Sequence, residues 1–136
     1  MTLALLDTDM LSELLKQRNP VVTQRASDYL KVHGQFAISA MTRFEIIRGY
    51  KEKGATNLLA RFDVFCAHSL VLPVTEAVFD RASQLWTIAR RDGHPHGDAD
   101  LIIAATALDS GRELVTGNTK HFAWIPGIVV NDWRTP

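Results

Sequence analysis

The chain has 136 residues, 46% of them apolar, with 15 basic and 15 acidic residues and a net charge of zero. That suits one folded domain with a sizeable core and excludes a disordered chain. No apolar run reaches the ~18 residues of a membrane span, the N-terminus lacks a signal peptide's basic region, and neutrality gives no global attraction to nucleic acid.

The first stretch, Leu3-Ala4-Leu5-Leu6, reads as a strand buried on both faces. It delivers Asp7 to the carboxyl end, where open α/β sheets keep their ligands. A buried acid there is costly unless a cation compensates it. Asp9 follows on the turn and reads equally as a helix cap or as a second acid. A helix over about residues 9–16 carries the stripe Met10, Leu11, Leu14 and Leu15, and Pro20 limits it. The next helix, about 21–32, is more polar and reads as peripheral. Phe36–Ser39 is a short strand ending in a capping Ser.

The helix over about 41–52 puts Thr42, Glu45 and Gly49 on one face. It also carries the one local basic run, Arg43, Arg48, Lys51 and Lys53, against Glu45 and Glu52. A helix over about 56–66 is expected to bury Leu58, Phe62 and Phe65. Cys66 is the sole cysteine, which excludes an internal disulfide and a Cys-based zinc site; it reads as a small core residue. Leu70–Leu72 is a strand stopped by Pro73. Thr75 caps a helix to about Asp92 whose expected buried face is Val78, Ala82, Leu85, Trp86 and Ala89. Gly93–Gly97 is a loop with His94 and His96, a pair with no third zinc ligand at a fixed spacing. A helix over about 98–110 ends at Gly111. Strands at Leu114–Thr116 and Ile128–Val130 complete the series.

Strands alternate with helices from end to end. The expected architecture is therefore α/β: a single domain over 1–136, with a central, mostly parallel sheet of about five strands between two helical layers.

Asp7, Glu45 and Asp100 lie on three separate elements at strand ends or on the helices that follow. Oxygen ligands from separate points suit Mg²⁺, a hard octahedral ion. Ions so held activate water and relieve charge in phosphodiester hydrolysis. Asp98 and Asp100 compete for one role, because two residues on a helix differ by about 200°. Asp98 is placed to cap; Asp100, in the first turn with Leu101, Ala104 and Ala105 facing the core, is favoured as the ligand. His121 reads as a turn residue or an RNA contact.

Five stretches in order carry a family likeness: Leu5-Leu-Asp7-Thr-Asp9-Met-Leu-Ser12; Thr42-Arg-Phe-Glu45-Ile-Ile-Arg-Gly49; Asp100-Leu-Ile-Ile-Ala-Ala-Thr-Ala107; Leu114-Val-Thr116-Gly-Asn118-Thr-Lys-His-Phe122; and Gly127-Ile-Val-Val-Asn-Asp-Trp133. Together they resemble a PIN-domain ribonuclease of the VapC toxin type over nearly the whole chain. The resemblance implies a PIN-like α/β/α sandwich and a Mg²⁺-dependent endoribonuclease, with Mn²⁺ able to substitute; the expected cytoplasmic location rests on the missing membrane span and signal peptide. It implies the toxin of a type II toxin–antitoxin pair, silenced by a VapB-type antitoxin whose Arg displaces the metal. The family's metal-binding acids map onto Asp7, Glu45 and Asp100. A fourth catalytic position falls on Asn118, which can ligate through its carbonyl but brings no charge. Thr8, Thr42, Thr116 and Asp98 take supporting places around these acids. Arg43, Arg48 and Lys51 become the expected RNA contacts, in a homodimer that joins two sites in one groove. The antitoxin's apolar seat is expected near Met10, Leu14, Phe44 and Phe62. Two other readings are a PIN fold that only binds RNA or protein, and a haloacid-dehalogenase-like phosphatase with Asp7 as nucleophile. The order of acidic and Thr motifs is wrong for the phosphatase.

Overall fold

The computed structural model describes residues 1–136. In chain order the elements are β1 (Ala4–Leu6), α1 (Thr8–Lys16), α2 (Pro20–His33), β2 (Ala37–Ser39), α3 (Ala40–Glu52) and α4 (Thr56–Ala67). They continue with β3 (Leu70–Leu72), α5 (Glu76–Asp92), α6 (Asp98–Asp109), β4 (Glu113–Val115), α7 (Thr119–Phe122) and β5 (Val130–Asn131). No helix is long and apolar enough to cross a membrane.

All strand pairing is parallel, as the alternation of elements requires. β1 pairs with β4, and β4 with β5, while β2 pairs with β3. The expected single sheet of about five strands is thus divided into a three-stranded and a two-stranded ladder. β1 and β2 lie side by side without pairing. The strands are only two or three residues long, and side chains take the polar groups of Ala4. Its N–H donates to the Tyr29 hydroxyl at 3.0 Å, and its carbonyl accepts from Arg112 Nη1 at 3.1 Å.

Side-chain alternation along β1 splits the core in two. Ala4 and Leu6 join Met10, Leu11, Val22, Tyr29, Ile38, Phe62 and Trp133 on one face. Leu5 joins Leu85, Leu101, Ile103, Leu114 and Phe122 on the other. This is the expected sandwich, with α1, α2 and α4 on one side and α5 and α6 on the other.

Three expectations about burial are corrected. α2 is not peripheral: Val22, Ala26 and Tyr29 are buried. Trp86 is 44% exposed; Val78, Ala82, Leu85 and Ala89 already form the inward stripe of α5, and Trp86 lies about 100° round from Leu85. On α4 only Phe62 is buried. Leu58 is 46% exposed and lines an open apolar groove with Leu14, Leu15, Leu30, Phe36 and Phe65.

The Tyr29 hydroxyl is the sole partner of a buried amide at the edge of β1. Tyr29→Phe should therefore lower unfolding free energy by about 1–3 kcal/mol, the cost of orphaning a buried donor, in a chemical denaturation experiment. A loss below ~0.5 kcal/mol would show that water replaces it.

Candidate active site

Asp7 leaves the C-terminal end of β1 in extended backbone (φ −72°, ψ 159°) and caps α1. Its N–H continues the β1–β4 ladder, donating to the Val115 carbonyl at 2.9 Å. The side chain is 6% exposed. Oδ1 accepts from Thr8 N–H at 2.8 Å and Oδ2 from the Thr116 hydroxyl at 2.8 Å. Burial, then the charges of Asp9 and Asp100, push its pKa up to about 7; the two hydrogen bonds pull the other way. The capping role left open between Asp7 and Asp9 therefore belongs to Asp7, without removing Asp7 from the acid cluster.

Asp9 instead reaches across to the turn after β4. Its Oδ1 lies 3.3 Å from the Thr116 hydroxyl, and its Oδ2 accepts from Gly117 N–H at 3.1 Å. Thr116 is fully buried and stands between both acids. Its oxygen accepts from Asn118 N–H at 3.0 Å. Asn118 sits at the N-terminus of α7, and its side chain makes no capping bond.

Glu45 is held from a different direction. Thr8 Oγ1 donates to Glu45 Oε1 at 2.8 Å and lies 3.2 Å from the buried Thr42 hydroxyl. The other Glu45 oxygen is 3.8 Å from Arg48. Asp100 comes from the first turn of α6, and its Oδ2 lies 2.9 Å from His121 Nε2 on α7. Sequence reasoning missed this contact, because nothing local pairs a residue at 100 with one at 121.

Asp98 does not cap α6. Gly97 holds the cap position, with no side-chain bond. Asp98 lines a groove with Phe79, Ser83 and Trp86 of α5, and none of its contacts supports the acid cluster. Of the expected RNA contacts, Arg43 is exposed and lies against the Cys66 thiol, and Arg48, with its side chain 58% exposed, lies 3.8 Å from Glu45 and over the Phe44 ring, 5.0 Å from its centroid. Lys51 lies in the last turn of α3 and is exposed. His94 stacks on Trp124 at 4.8 Å, and His96 Nδ1 contacts the His94 carbonyl at 3.1 Å.

The donor set fits a hard divalent cation: carboxylates on different elements, one of them made difficult to ionise by burial first and then by its acidic neighbours. The side chains as placed do not bring three His, Cys, Asp or Glu groups within coordinating range of one point. Each acid holds another partner instead. Mg²⁺ keeps several waters and uses one or two carboxylates, and the expected joint ligation by Asp7, Glu45 and Asp100 is not seen in these positions.

A carboxyl whose folded pKa exceeds its unfolded value keeps its proton in the native state. Stability therefore falls as pH rises from about 3.8 to about 7. In EDTA, the pH profile of unfolding free energy should show this decline for the wild type and lose much of it in Asp7→Asn. Identical profiles for the two proteins would remove Asp7 as the source.

A family model described as PIN domain matches residues 4–126. The tRNA(fMet)-specific endonuclease VapC of Shigella flexneri is 29% identical over 130 residues, 95% of this chain and 96% of the relative. The Salmonella typhimurium protein of the same name is 32% identical over 100 residues, 73% of this chain and 76% of the relative. The crystal structure of DNA-bound VapBC from Salmonella typhimurium aligns with a TM-score of 0.85 at 28% identity, covering 98% of this chain and 99% of that one. A phosphatase of the haloacid-dehalogenase type does not fit these matches. With so much of its length matched, the chain belongs to the PIN-domain family and, within it, to the VapC type.

Proposed function

We propose that this protein is a Mg²⁺-dependent endoribonuclease, the toxin of a toxin–antitoxin pair. The observation that carries the reading is the buried Asp7 carboxyl at a strand end, with the charges of Asp9 and Asp100 acting on it and no paired cation. A cation would be held by Asp7 and Asp100, with Glu45 and the Asn118 carbonyl at the periphery. Bound there, Mg²⁺ supplies a polarised water and neutralises charge developing at the phosphodiester.

The chain's own residues orient these groups. Thr116 fixes the Asp7 carboxylate, and Thr8 fixes Glu45. Asn118 offers an uncharged oxygen that can align water without adding repulsion. His121 holds Asp100 in one orientation. Because relatives at 29% and 32% identity carry the name tRNA(fMet)-specific endonuclease, an initiator tRNA is the first substrate to test.

A VapB-type antitoxin is the proposed partner, since similar solved structures are VapBC complexes. Its apolar segment would occupy the groove lined by Leu14, Leu15, Leu30, Leu58 and Phe65. Two residues of the expected seat, Leu14 and Phe62, line this groove, while Met10 is buried core and Phe44 lies outside it beneath Arg48. The reading includes a homodimer, for which exposed Phe79 and Trp86 beside α6 offer apolar surface.

Asp7→Asn and Asp100→Asn should each reduce tRNA cleavage at least about a hundredfold while circular dichroism stays native, since each removes a metal charge. Asp98→Asn should stay within a few-fold of wild type, because Asp98 faces the α5 groove. Cleavage should require Mg²⁺ or Mn²⁺ and stop in EDTA. Activity that persists in EDTA, or equal losses at 98 and 100, would overturn the reading.

A further inference from the structure

The C-terminal segment brings a cation to the acidic site. Trp133 is fully buried, packed against Tyr29 and Phe36 with centroids 5.6 and 6.5 Å apart. This anchors the residues on either side of it. Asp132 and Arg134 then form a rigid pair. Asp132 Oδ1 accepts from Arg134 N–H at 2.9 Å and from Nε at 3.1 Å, while Oδ2 accepts from Nη2 at 2.9 Å. Nη2 also donates to the Gly117 carbonyl at 2.7 Å. The Gly117 amide is the group that donates to Asp9. One peptide therefore joins Arg134 on its carbonyl side to Asp9 on its amide side.

Gly117 makes this approach possible. A Cβ at that position would stand 2.8 Å from Arg134 Cζ, 2.9 Å from its Nη2 and 2.9 Å from Asp9 Oδ2. The negative charges of Asp9 and Glu13 are felt at Arg134. Arg134 stays 44% exposed despite its bonds, and its Nη1 has no protein acceptor. Two basic residues of α3 have contacts of their own, Arg43 against Cys66 and Arg48 near Glu45, and Lys51 stands in the last turn of that helix. A phosphodiester approaching the acids meets repulsion from several carboxylates. A guanidinium already oriented by a carboxylate, with one nitrogen free, is a ready phosphate contact that loses little entropy on binding.

We propose that Arg134, aimed by Asp132 and admitted by Gly117, is a substrate-binding residue that grips a phosphate of the RNA beside the acidic site. The inference rests on the ribonuclease reading and names a substrate contact that reading lacks. It makes the C-terminal hook part of the site.

The test uses the full chain. Binding of a short RNA hairpin is titrated in EDTA across a salt series, with the RNA checked on a gel for integrity, and cleavage is measured separately in Mg²⁺. Arg134→Gln should raise KM for cleavage about tenfold, the worth of one charge-assisted hydrogen bond, with kcat changed less. The slope of log affinity against log salt should fall by about one. Arg134→Lys keeps the charge and should keep the salt slope. Melting temperatures screen for unfolding, and Arg134→Lys serves as the readable variant if Arg134→Gln is destabilised. If wild type cleaves RNA but Arg134→Gln leaves KM and salt slope unchanged, or loses only kcat, Arg134 is not a phosphate contact. If wild type neither binds nor cleaves RNA, the ribonuclease reading falls and this inference falls with it.

Discussion

The carboxyl of Asp7 is 6% exposed at the end of β1, and the charges of Asp9 and Asp100 bear on it. A carboxylate left there without partners costs several kcal/mol. Its partners come from opposite ends of the chain, Thr8 N–H and the Thr116 hydroxyl. The second is delivered by the parallel β1–β4 register, which sets Leu6 opposite Val115 and so brings Thr116 level with Asp7. The apolar strands that build the two cores also set Asp7 beside the turn after β4 that Asp9 reaches. Any slip of β4 by one residue would send Thr116 to the other face.

The acids around Asp7 are each held by a different device. Asp9 rests on a backbone amide, Glu45 on Thr8 and Arg48, and Asp100 on His121. These contacts fix orientation without supplying a full counter-charge at Asp7. The residual negative field is one that a hard cation would relieve and an apolar or anionic ligand would not. The same field repels a phosphodiester, which gives a positive group at the rim a purpose. The Gly117 peptide links the two requirements through its carbonyl and its amide.

Much of this was legible from the residues. The apolar run before Asp7, the capping Thr75 and the glycine after α6 placed their elements within a residue or two, and the alternation of strand and helix required parallel pairing. The separate strand-end acids pointed to one site, because parallel sheets gather such ends, but the side chains of Asp7, Glu45 and Asp100 do not converge on one point. What stayed hidden depended on tertiary contacts. Tyr29 reads as one aromatic on a polar helix, yet its hydroxyl serves β1 and draws α2 into the core. His121 meets Asp100 only because α7, a four-residue helix too short to leave a periodic signal, lies beside the start of α6. Arg134 follows the last strand, where local pattern says nothing of a turn more than a dozen residues earlier. Trp86 and Leu58 fit apolar stripes by spacing, but other residues already filled the facing surfaces.

The central claim is that the carboxylates around Asp7 form a divalent-cation site. A crystal of the protein soaked in Mn²⁺, with anomalous diffraction recorded near the manganese edge, tests it most directly. The account predicts a peak within coordinating distance of Asp7 and Asp100, lost in an Asp7→Asn crystal grown alongside. No peak there at millimolar Mn²⁺, or a peak that persists without the Asp7 carboxylate, would contradict it.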